Sequence, residues 1–326
     1  MRNTLLLALM AVLCVLDSPG RAAAQKPLII DHTCTRIERI PEWAILQAKT
    51  SLRIAYAHTS HGSQITTGMS GLVEFANGGG RGLSLKEDVF AWNDGGTNGA
   101  LDLHDYAMPG DVGSYPDWVN HTRAYLDDPG NADVNVIMWS WCGQHPSKYA
   151  HNQLFPEYLN PMSQLEAEYP HVHFIYMTGH LEHGSSTYGN AGTKASNQII
   201  RDYCEANNKI LYDFADIESH DPDGTYYPFA NDTCDYYASH TGPLLGNWAK
   251  EWQDSHAVGV DWYVCSSSHS ESLNANQKAY AAWWLFARLA GWRGEPCQSN
   301  GVDLNCDGLV NMADLALLGA HWLEDS

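Results

Sequence analysis

An apolar run that ends abruptly in a polar turn constrains the fold of this chain more than any other feature. Residues 51–64 read SLRIAYAHTSHGSQ, and the mainly apolar residues 52–57 suit a strand that is covered on both faces. Residues 59–62 supply the tight turn in which such a strand would end, and residues 65–77 then have apolar side chains at helical spacing. A strand, a polar turn and a helix in this order predict an open α/β sheet, in which active sites lie at strand ends.

Further segments of the same two kinds alternate along the chain. The predicted strands are residues 134–140, 173–178 and 209–217, and the predicted helices are residues 161–169, 194–207 and the C-terminal part of 265–292. This alternation predicts a doubly wound, flavodoxin-like three-layer α/β sandwich with a parallel sheet. Residues 81–128 are rich in Gly, Asp, Asn and Trp, and we expect long loops there, over the carboxyl edge of the sheet.

The net charge and the N-terminal residues indicate the location of the protein and the classes of partner that it does not bind. It carries 38 acidic against 18 basic side chains, a formal net charge of −20, which would repel nucleic acid and anionic membranes. Residues 1–24 have Arg2, an apolar run too short to span a bilayer, and three alanines, which is typical of a secretory signal peptide. We therefore expect a secreted, extracellular protein that binds no nucleic acid and has no transmembrane segment in the mature chain.

The cysteines predict disulfides, because pairing is the usual state in exported proteins. Of the 8 cysteines, Cys14 lies in the signal peptide, so an odd number remains and at least one thiol stays free or pairs outside the chain. The first candidate pair is Cys297 with Cys306, and the next is Cys234 with Cys265.

The turn after the first strand resembles a known catalytic motif. Ile54, His58, Ser60 and Gly62 are similar to the first block of certain SGNH (GDSL-like) hydrolases, which often reads His-His-Ser-Thr-Gly. The resemblance implies an SGNH-type hydrolase domain over residues 25–292. It also implies that Ser60 is the nucleophile and that its backbone N–H is one oxyanion donor.

The last block of the family has a catalytic histidine just before the C-terminal helix, where this chain has His269. The resemblance implies that His269 is the general base and lies close to Ser60 in space. The family pattern Asp-x-x-His would place the acid at Ser266, so another group must orient the base. The open alternatives are Asp261, Asp213 and a backbone acceptor.

The oxyanion hole is assigned by the same resemblance. The family has a second oxyanion glycine in the segment after the first helix, and the candidates are Gly95 and Gly96. Where the family has Gly-x-Asn-Asp, this chain has no Asn, and Gln144 is the candidate donor through its side-chain amide. Cys142, in the same segment, is an alternative nucleophile.

The C-terminal tail predicts a separate calcium module, residues 301–326, after a linker at 293–300. Oxygen-bearing residues at loop positions 1, 3 and 5, Gly at 6 and an acid at 12 have the spacing of an EF-hand-type loop. The predicted ligands are Asp303, Asn305, Asp307, the backbone carbonyl of Leu309, and Asp314. The segment resembles one dockerin type I repeat. That resemblance implies a structural Ca²⁺ and raises attachment to a cohesin or a cell-surface scaffold as a further expectation.

Together these features predict a secreted serine hydrolase, an esterase that removes acyl groups such as acetyl from polysaccharide without a catalytic cofactor. The aromatic-rich insertion at residues 220–257 suits stacking on sugar rings. Two alternatives stay open. One is a non-catalytic carbohydrate-binding or surface protein on a degenerate hydrolase scaffold. The other is a metal-dependent hydrolase that uses the histidine pairs His171 with His173 and His180 with His183.

Overall fold

The apolar run at residues 52–57 forms an inner strand of a seven-stranded parallel sheet. The computed structural model describes residues 26–184 and 189–294, together with position 315. The strands of this sheet are β1 (Leu28–Ile30), β2 (Arg53–Ala57), β3 (Trp92–Asn93), β4 (Leu101–Asp105), β5 (Val136–Trp139), β6 (His173–Met177) and β7 (Ile210–Tyr212). Their order across the sheet is β1-β7-β6-β5-β2-β4-β3, and every neighbouring pair is parallel.

Helices cover both faces of the sheet. They are α1 (Glu42–Ser51), α2 (Ser63–Asn77), α3 (Asp117–Leu126), α4 (His145–Ala150), α5 (Asn160–Glu168), α6 (Asn190–Ala206), α7 (Phe214–Glu218), α8 (Trp248–Ser255) and α9 (Ser272–Leu289). The long, almost wholly buried α9 packs against α1 and α2, whereas α3 contacts α5 and α4 contacts α6. Because both faces are covered, β5 has no exposed residue, and its sequence VIMW is apolar throughout.

Smaller elements complete the fold. Short 3-10 helices lie at His32–Cys34, Ile37–Arg39, Gly80–Gly82, Thr97–Gly99 and Pro129–Asn131, and a π-helix lies at Phe155–Leu159. The strands β8 (Asp235–Tyr237) and β9 (Leu244–Asn247) form an antiparallel pair inside the insertion at residues 220–257. None of the helices in the described ranges combines the length and the apolar character of a membrane span.

The strand order locates a crevice at one edge of the sheet. The strands β4, β2, β5, β6 and β7 lie in the spatial order that doubly wound sheets of the flavodoxin type adopt. The direction of progress reverses between β2 and β5, and Ala57 pairs with Trp139 at their carboxyl ends. In such sheets ligands bind outside the strand ends at this reversal, the topological switch point. The prediction of an α/β fold with a parallel sheet between helices is confirmed.

Some predicted elements differ from those observed. The strand predicted at 209–217 ends at Tyr212, and residues 214–218 form α7 instead. The Asp213 side chain accepts a hydrogen bond from the backbone N–H of Asp216 and so caps this helix at its start. Residues 81–128, predicted as loops, contain β3, β4 and α3, and β1 was not predicted at all.

The expected disulfide between Cys234 and Cys265 is wrong, because both residues are free thiols. Cys234 Sγ lies 3.2 Å from Ser270 Oγ, and Cys265 Sγ lies 3.8 Å from the carbonyl oxygen of Ser272. The two sulfurs therefore have separate polar partners. The predicted signal peptide, the predicted Cys297–Cys306 pair and the predicted calcium loop from Asp303 to Asp314 lie outside the described residues.

Candidate active site

Ser60 lies in a tight turn between β2 and α2, at the switch point of the sheet. Two hydrogen bonds hold the turn: the Tyr56 hydroxyl donates to the Gly62 carbonyl at 3.0 Å, and the Ser63 hydroxyl donates to the Ser60 carbonyl at 2.6 Å. Gly62 is required sterically, because a Cβ there would lie 2.3 Å from Ser140 Oγ. Ser60 is half-buried, and within the part of the chain that the structure describes its hydroxyl has no hydrogen-bond partner.

Cys142 occupies the corresponding turn between β5 and α4. Its half-buried Sγ lies 3.8 Å from Nδ1 of His61, which the neighbouring turn supplies. On the other side of the ring, His61 Nε2 lies 3.1 Å from Oδ2 of Asp232 in the insertion. A thiol, an imidazole and a carboxylate therefore form one continuous series across the switch point.

The electrostatics of this series favour a thiolate beside an imidazolium. Burial opposes the protonation of His61, but hydrogen bonds to Asp232 and Cys142 raise the pKa of His61 to about 9. The hydrogen bond to His61 lowers the pKa of the Cys142 thiol against the opposing effect of burial. Burial raises the pKa of Asp232, but the hydrogen bond to His61 and the charge interactions with the three histidines together outweigh burial, and the net pKa is lowered. A cysteine paired with a cationic histidine is the environment in which reactive thiolates occur.

Three histidine rings stack in a column at this site, which we call the histidine column: His180, His61 and His269. The His61 ring centroid lies 3.7 Å from that of His180 and 4.3 Å from that of His269, with near-parallel planes in both pairs. Two rings cannot share one face at these distances, so His61 lies in the middle. Burial and the neighbouring His61 lower the pKa of His180, which leaves a neutral ring next to the cationic one.

The predicted base His269 thus reaches the predicted site, but it contacts His61. Within the described ranges no hydrogen bond joins the side chains of Ser60 and His269. His269 is exposed and has a left-handed backbone with φ of 63°. The preceding Ser268 is fixed to α2, because Gln64 Nε2 donates a hydrogen bond to its carbonyl at 2.5 Å.

A buried ion pair supports the segments that carry the histidine column. Lys278 Nζ lies 2.8 Å from Glu218 Oε1, and both side chains are 0% exposed. Lys278 also donates to Gln64 Oε1, and Glu218 Oε2 accepts the backbone N–H of Leu181 at 2.6 Å. Burial lowers the pKa of Lys278, although Glu218 opposes the shift. Because an isolated buried charge is costly, this pair fixes α2, α9 and the segment of His180 to one another.

The histidine at the start of the first turn has another role. His58 Nε2 lies 2.7 Å from Asp105 Oδ1 at the end of β4, and its ring contacts Tyr106 at a centroid distance of 4.0 Å. Tyr106 is 58% exposed, so it offers an aromatic face at the carboxyl edge of the sheet.

The structure does not bring the predicted oxyanion glycine to Ser60. The backbone N–H of Gly95 donates to Asp102 Oδ1 at 2.9 Å, and Asp102 pairs with Arg53 at the amino end of β2. Ser60 follows the opposite, carboxyl end of β2. The strand is about 13 Å long from Arg53 to Ala57, at about 3.3 Å per residue. Gly96 lies beside the same Asp102. Neither glycine therefore lines the site.

Gln144 lies near the site, but its amide has other partners. Its Nε2 donates to both carboxylate oxygens of Asp111, at 2.9 and 3.1 Å. The Thr59 hydroxyl donates to the same carboxylate at 3.2 Å. Gln144 therefore links the two turns through Asp111 and does not present a free donor to an oxyanion.

The predicted acids are also placed elsewhere. Asp261 accepts the backbone N–H of Ala257 at 2.8 Å and has no described contact with His269. Asp213 is buried in a two-point contact with Arg201, at 2.5 and 2.8 Å. The carboxylate that the structure brings to the histidine column is Asp232. Sequence reasoning missed it because it stands in a polar insertion without a recognisable pattern.

The same cluster groups potential metal ligands, but its rings are not oriented towards one common ion. Ligand atoms of His61, His180 and Asp232 lie within 4.8 Å of one another. However, imidazole lone pairs lie in the ring plane, and two parallel rings 3.7 Å apart cannot both direct a lone pair at one ion. His183 stacks on Tyr237 at 3.5 Å and does not join the cluster.

A second group of this kind, His32, Asp216 and His220, also has stacked rings, with centroids 3.6 Å apart. His173 is exposed at the first position of β6, at the amino end of the sheet, and His171 is exposed just before it. The histidine pairs predicted as metal ligands are therefore not assembled as such.

Comparison with family models, with curated proteins and with solved structures finds no match to this chain.

Proposed function

We propose that this chain is a hydrolase that cleaves acyl esters by covalent catalysis at the carboxyl ends of β2 and β5. One observation carries the proposal: His61, hydrogen-bonded to Asp232, lies at the switch point between a serine turn and a cysteine turn. A nucleophile beside a base that a third group orients is the general arrangement for nucleophilic catalysis.

The resemblance to SGNH hydrolases supports the same reaction class. It assigns the attack on the ester carbonyl to Ser60 and the transfer of its proton to His269, which returns the proton to the leaving alkoxide. Two observations are compatible with this assignment: the Ser60 hydroxyl is not engaged by another described group, and the His269 ring stacks on His61, the residue that follows Ser60 in the chain. In this assignment Asp232 replaces Asp261 as the nearby acid.

The proposed substrate is an acylated, for example acetylated, polysaccharide outside the cell. Support comes from the predicted signal peptide, the dockerin-like calcium loop with its expected cohesin or surface partner, and exposed aromatic rings. Tyr106 is 58% exposed beside the first turn, and Tyr226 is 52% exposed in the insertion. Such rings suit stacking on the faces of sugars.

The test is release of acetate from an acetylated polysaccharide, together with hydrolysis of p-nitrophenyl acetate, by the purified full-length protein. Because a positioned acid-base group contributes about 10²- to 10⁴-fold, His61→Ala should lower kcat/KM by at least about a hundredfold. The matched control is His173→Ala, an exposed histidine at the opposite end of the sheet, which should not change the rate.

Absence of hydrolysis by the wild-type protein towards all acyl esters would contradict the proposal and favour the carbohydrate-binding alternative. Equal rates for wild type and His61→Ala would show that the catalytic site lies elsewhere.

A further inference from the structure

We infer that Cys142 is the nucleophile of this site, with His61 as its base and Asp232 as the residue that orients the base. The inference rests on the proposed function and deepens it, because it assigns the covalent intermediate to a thioester at Cys142.

The tautomer of His61 supports the assignment. The ionised Asp232 carboxylate can only accept a hydrogen bond, so His61 Nε2, 3.1 Å away, must carry a proton. In the neutral ring this leaves Nδ1 as the acceptor, and Nδ1 is the atom that lies 3.8 Å from Cys142 Sγ. A single imidazole therefore connects the thiol to the carboxylate through its two nitrogens.

The charged groups around His61 favour transfer of the thiol proton to it. Asp232 and Glu218 both stabilise the imidazolium, and the neutral His180 on one face adds no positive charge. Thr59 and the backbone of Gly143 also favour the ionised Cys142. Glu182 also lies at this edge, 3.8 Å from His180 Nε2, and burial and Asp232 raise its pKa.

The other thiols in the part of the chain that the structure describes lack these features. Cys265 is half-buried like Cys142, but burial raises its pKa to about 11. Cys34 is buried, and burial is the largest cause that raises its pKa to about 11. Neither has a histidine partner among the described contacts, and burial also raises the pKa of the remaining described thiols, Cys204 and Cys234. Among the described cysteines, a lowered pKa is therefore found at Cys142 alone.

The reaction balances with the groups present. The Cys142 thiolate attacks the acyl carbonyl carbon, an S–C bond forms, and the ester C–O bond breaks as the His61 imidazolium gives its proton to the leaving alkoxide. Water then attacks the thioester while His61 takes a proton from it, the S–C bond breaks, and the carboxylic acid leaves. The thiolate and the imidazolium are regenerated, and no oxidant or reductant is needed.

The test combines alkylation with variants in the full-length protein. Iodoacetamide should modify Cys142 with a midpoint clearly below pH 8.5, the value of an ordinary thiol, while Cys265 in the same molecules stays unmodified until far higher pH. His61→Gln should move the Cys142 midpoint upward. Cys142→Ala should lower hydrolysis at least about a thousandfold, while Ser60→Ala should retain measurable hydrolysis and the low-pH alkylation.

Alkylation of the wild type needs no variant to fold, so it decides the matter even where a substitution disrupts the turn. Cys142 alkylated no faster than an ordinary thiol at neutral pH would overturn the inference. Full hydrolysis by Cys142→Ala with none by Ser60→Ala would overturn it too, while leaving the proposed function intact. Failure of the proposed function differs from both, since the wild type would then hydrolyse no ester at all.

Discussion

The two turns at the switch point lie side by side but hold their potential nucleophiles differently. The turn between β2 and α2 carries Ser60, whose hydroxyl has no partner among the described groups. The turn between β5 and α4 carries Cys142, whose thiol lies within hydrogen-bond distance of His61 from the first turn. The first turn thus supplies the base that the second turn uses. Ser60 lies where the SGNH resemblance places the nucleophile, but the described contacts activate Cys142 instead.

The largest expected effect tests what supports the first turn. Lys278→Met removes the cation that Gln64 and Glu218 share and leaves Glu218 as an uncompensated buried charge. We expect the free energy of unfolding, measured by urea denaturation, to fall by about 3–5 kcal/mol. The matched control is Lys250→Met, since Lys250 is 61% exposed in its pair with Glu271 and should cost less than about 1 kcal/mol.

Adding Glu218→Leu to Lys278→Met should recover part of the loss, because it removes the stranded charge. A single variant as stable as the wild type would show that the pair does not support the site. In molecules that keep the contact between His61 and Cys142, the thiol should still alkylate at low pH.

The next effect concerns the carboxylate that the second turn depends on. Asp232→Asn removes the negative charge beside His61 Nε2 and introduces an amide N–H2 that can donate to this nitrogen and so favour the wrong tautomer. We expect kcat/KM to fall by about a hundredfold, within the usual range for disturbed acid-base catalysis. Asp254→Asn makes the same change of charge at an exposed position in the same insertion and should leave the rate unchanged. A larger loss from Asp261→Asn than from Asp232→Asn would contradict the account.

The smallest effect is in the pH dependence of kcat/KM. Its direction at high pH differs between Cys142 and Ser60 as the nucleophile. With Cys142 as the nucleophile, protonated His61 must donate to the leaving alkoxide, so kcat/KM should fall as the pH rises past about 9, the raised pKa of His61. The loss should approach about tenfold per pH unit. With Ser60 as the nucleophile the base must be neutral, and the rate should rise with pH and then level off. A steady-state pH profile with an ester whose own hydrolysis is subtracted distinguishes the two.

The same raised pKa predicts a change in stability. His61 has a higher pKa in the folded state than its ordinary 6.5, so its contribution is complete below that value and is lost as the pH rises through about 9. Denaturation of wild type and His61→Gln at pH 6 and pH 10 should show a smaller difference at pH 10. An equal difference at both values would argue against a protonated His61 in the native protein.

Local sequence patterns predicted most of the sheet and part of the site. The runs that form β2, β5 and β6 are long and apolar because helices cover both faces of these strands. By contrast, β1 and β3 have only 3 and 2 residues, too few for a periodic pattern. Residues 214–218 read as a continuation of β7, since the capping role of Asp213 is visible only once the strand end is known.

The residues of the site also divide into those that a local pattern predicts and those that it does not. Ser60 and His269 could be placed at one edge because each follows or precedes a recognisable element. The contacts of His61 could not be predicted in this way, because its two partners are far away in the chain. Cys142 is separated from His61 by 81 positions and Asp232 by 171 positions. No local pattern encodes such pairs, and a histidine next to the expected nucleophile resembles a residue that only shapes the turn.

The most direct test of the account is the position of the acyl group in the covalent intermediate. The wild-type protein is mixed briefly with p-nitrophenyl acetate, quenched in acid and digested, and the acetylated peptide is identified by mass spectrometry. The account predicts acetyl on Cys142, as a thioester that hydroxylamine removes. Acetyl on Ser60, with Cys142 unmodified, would contradict it.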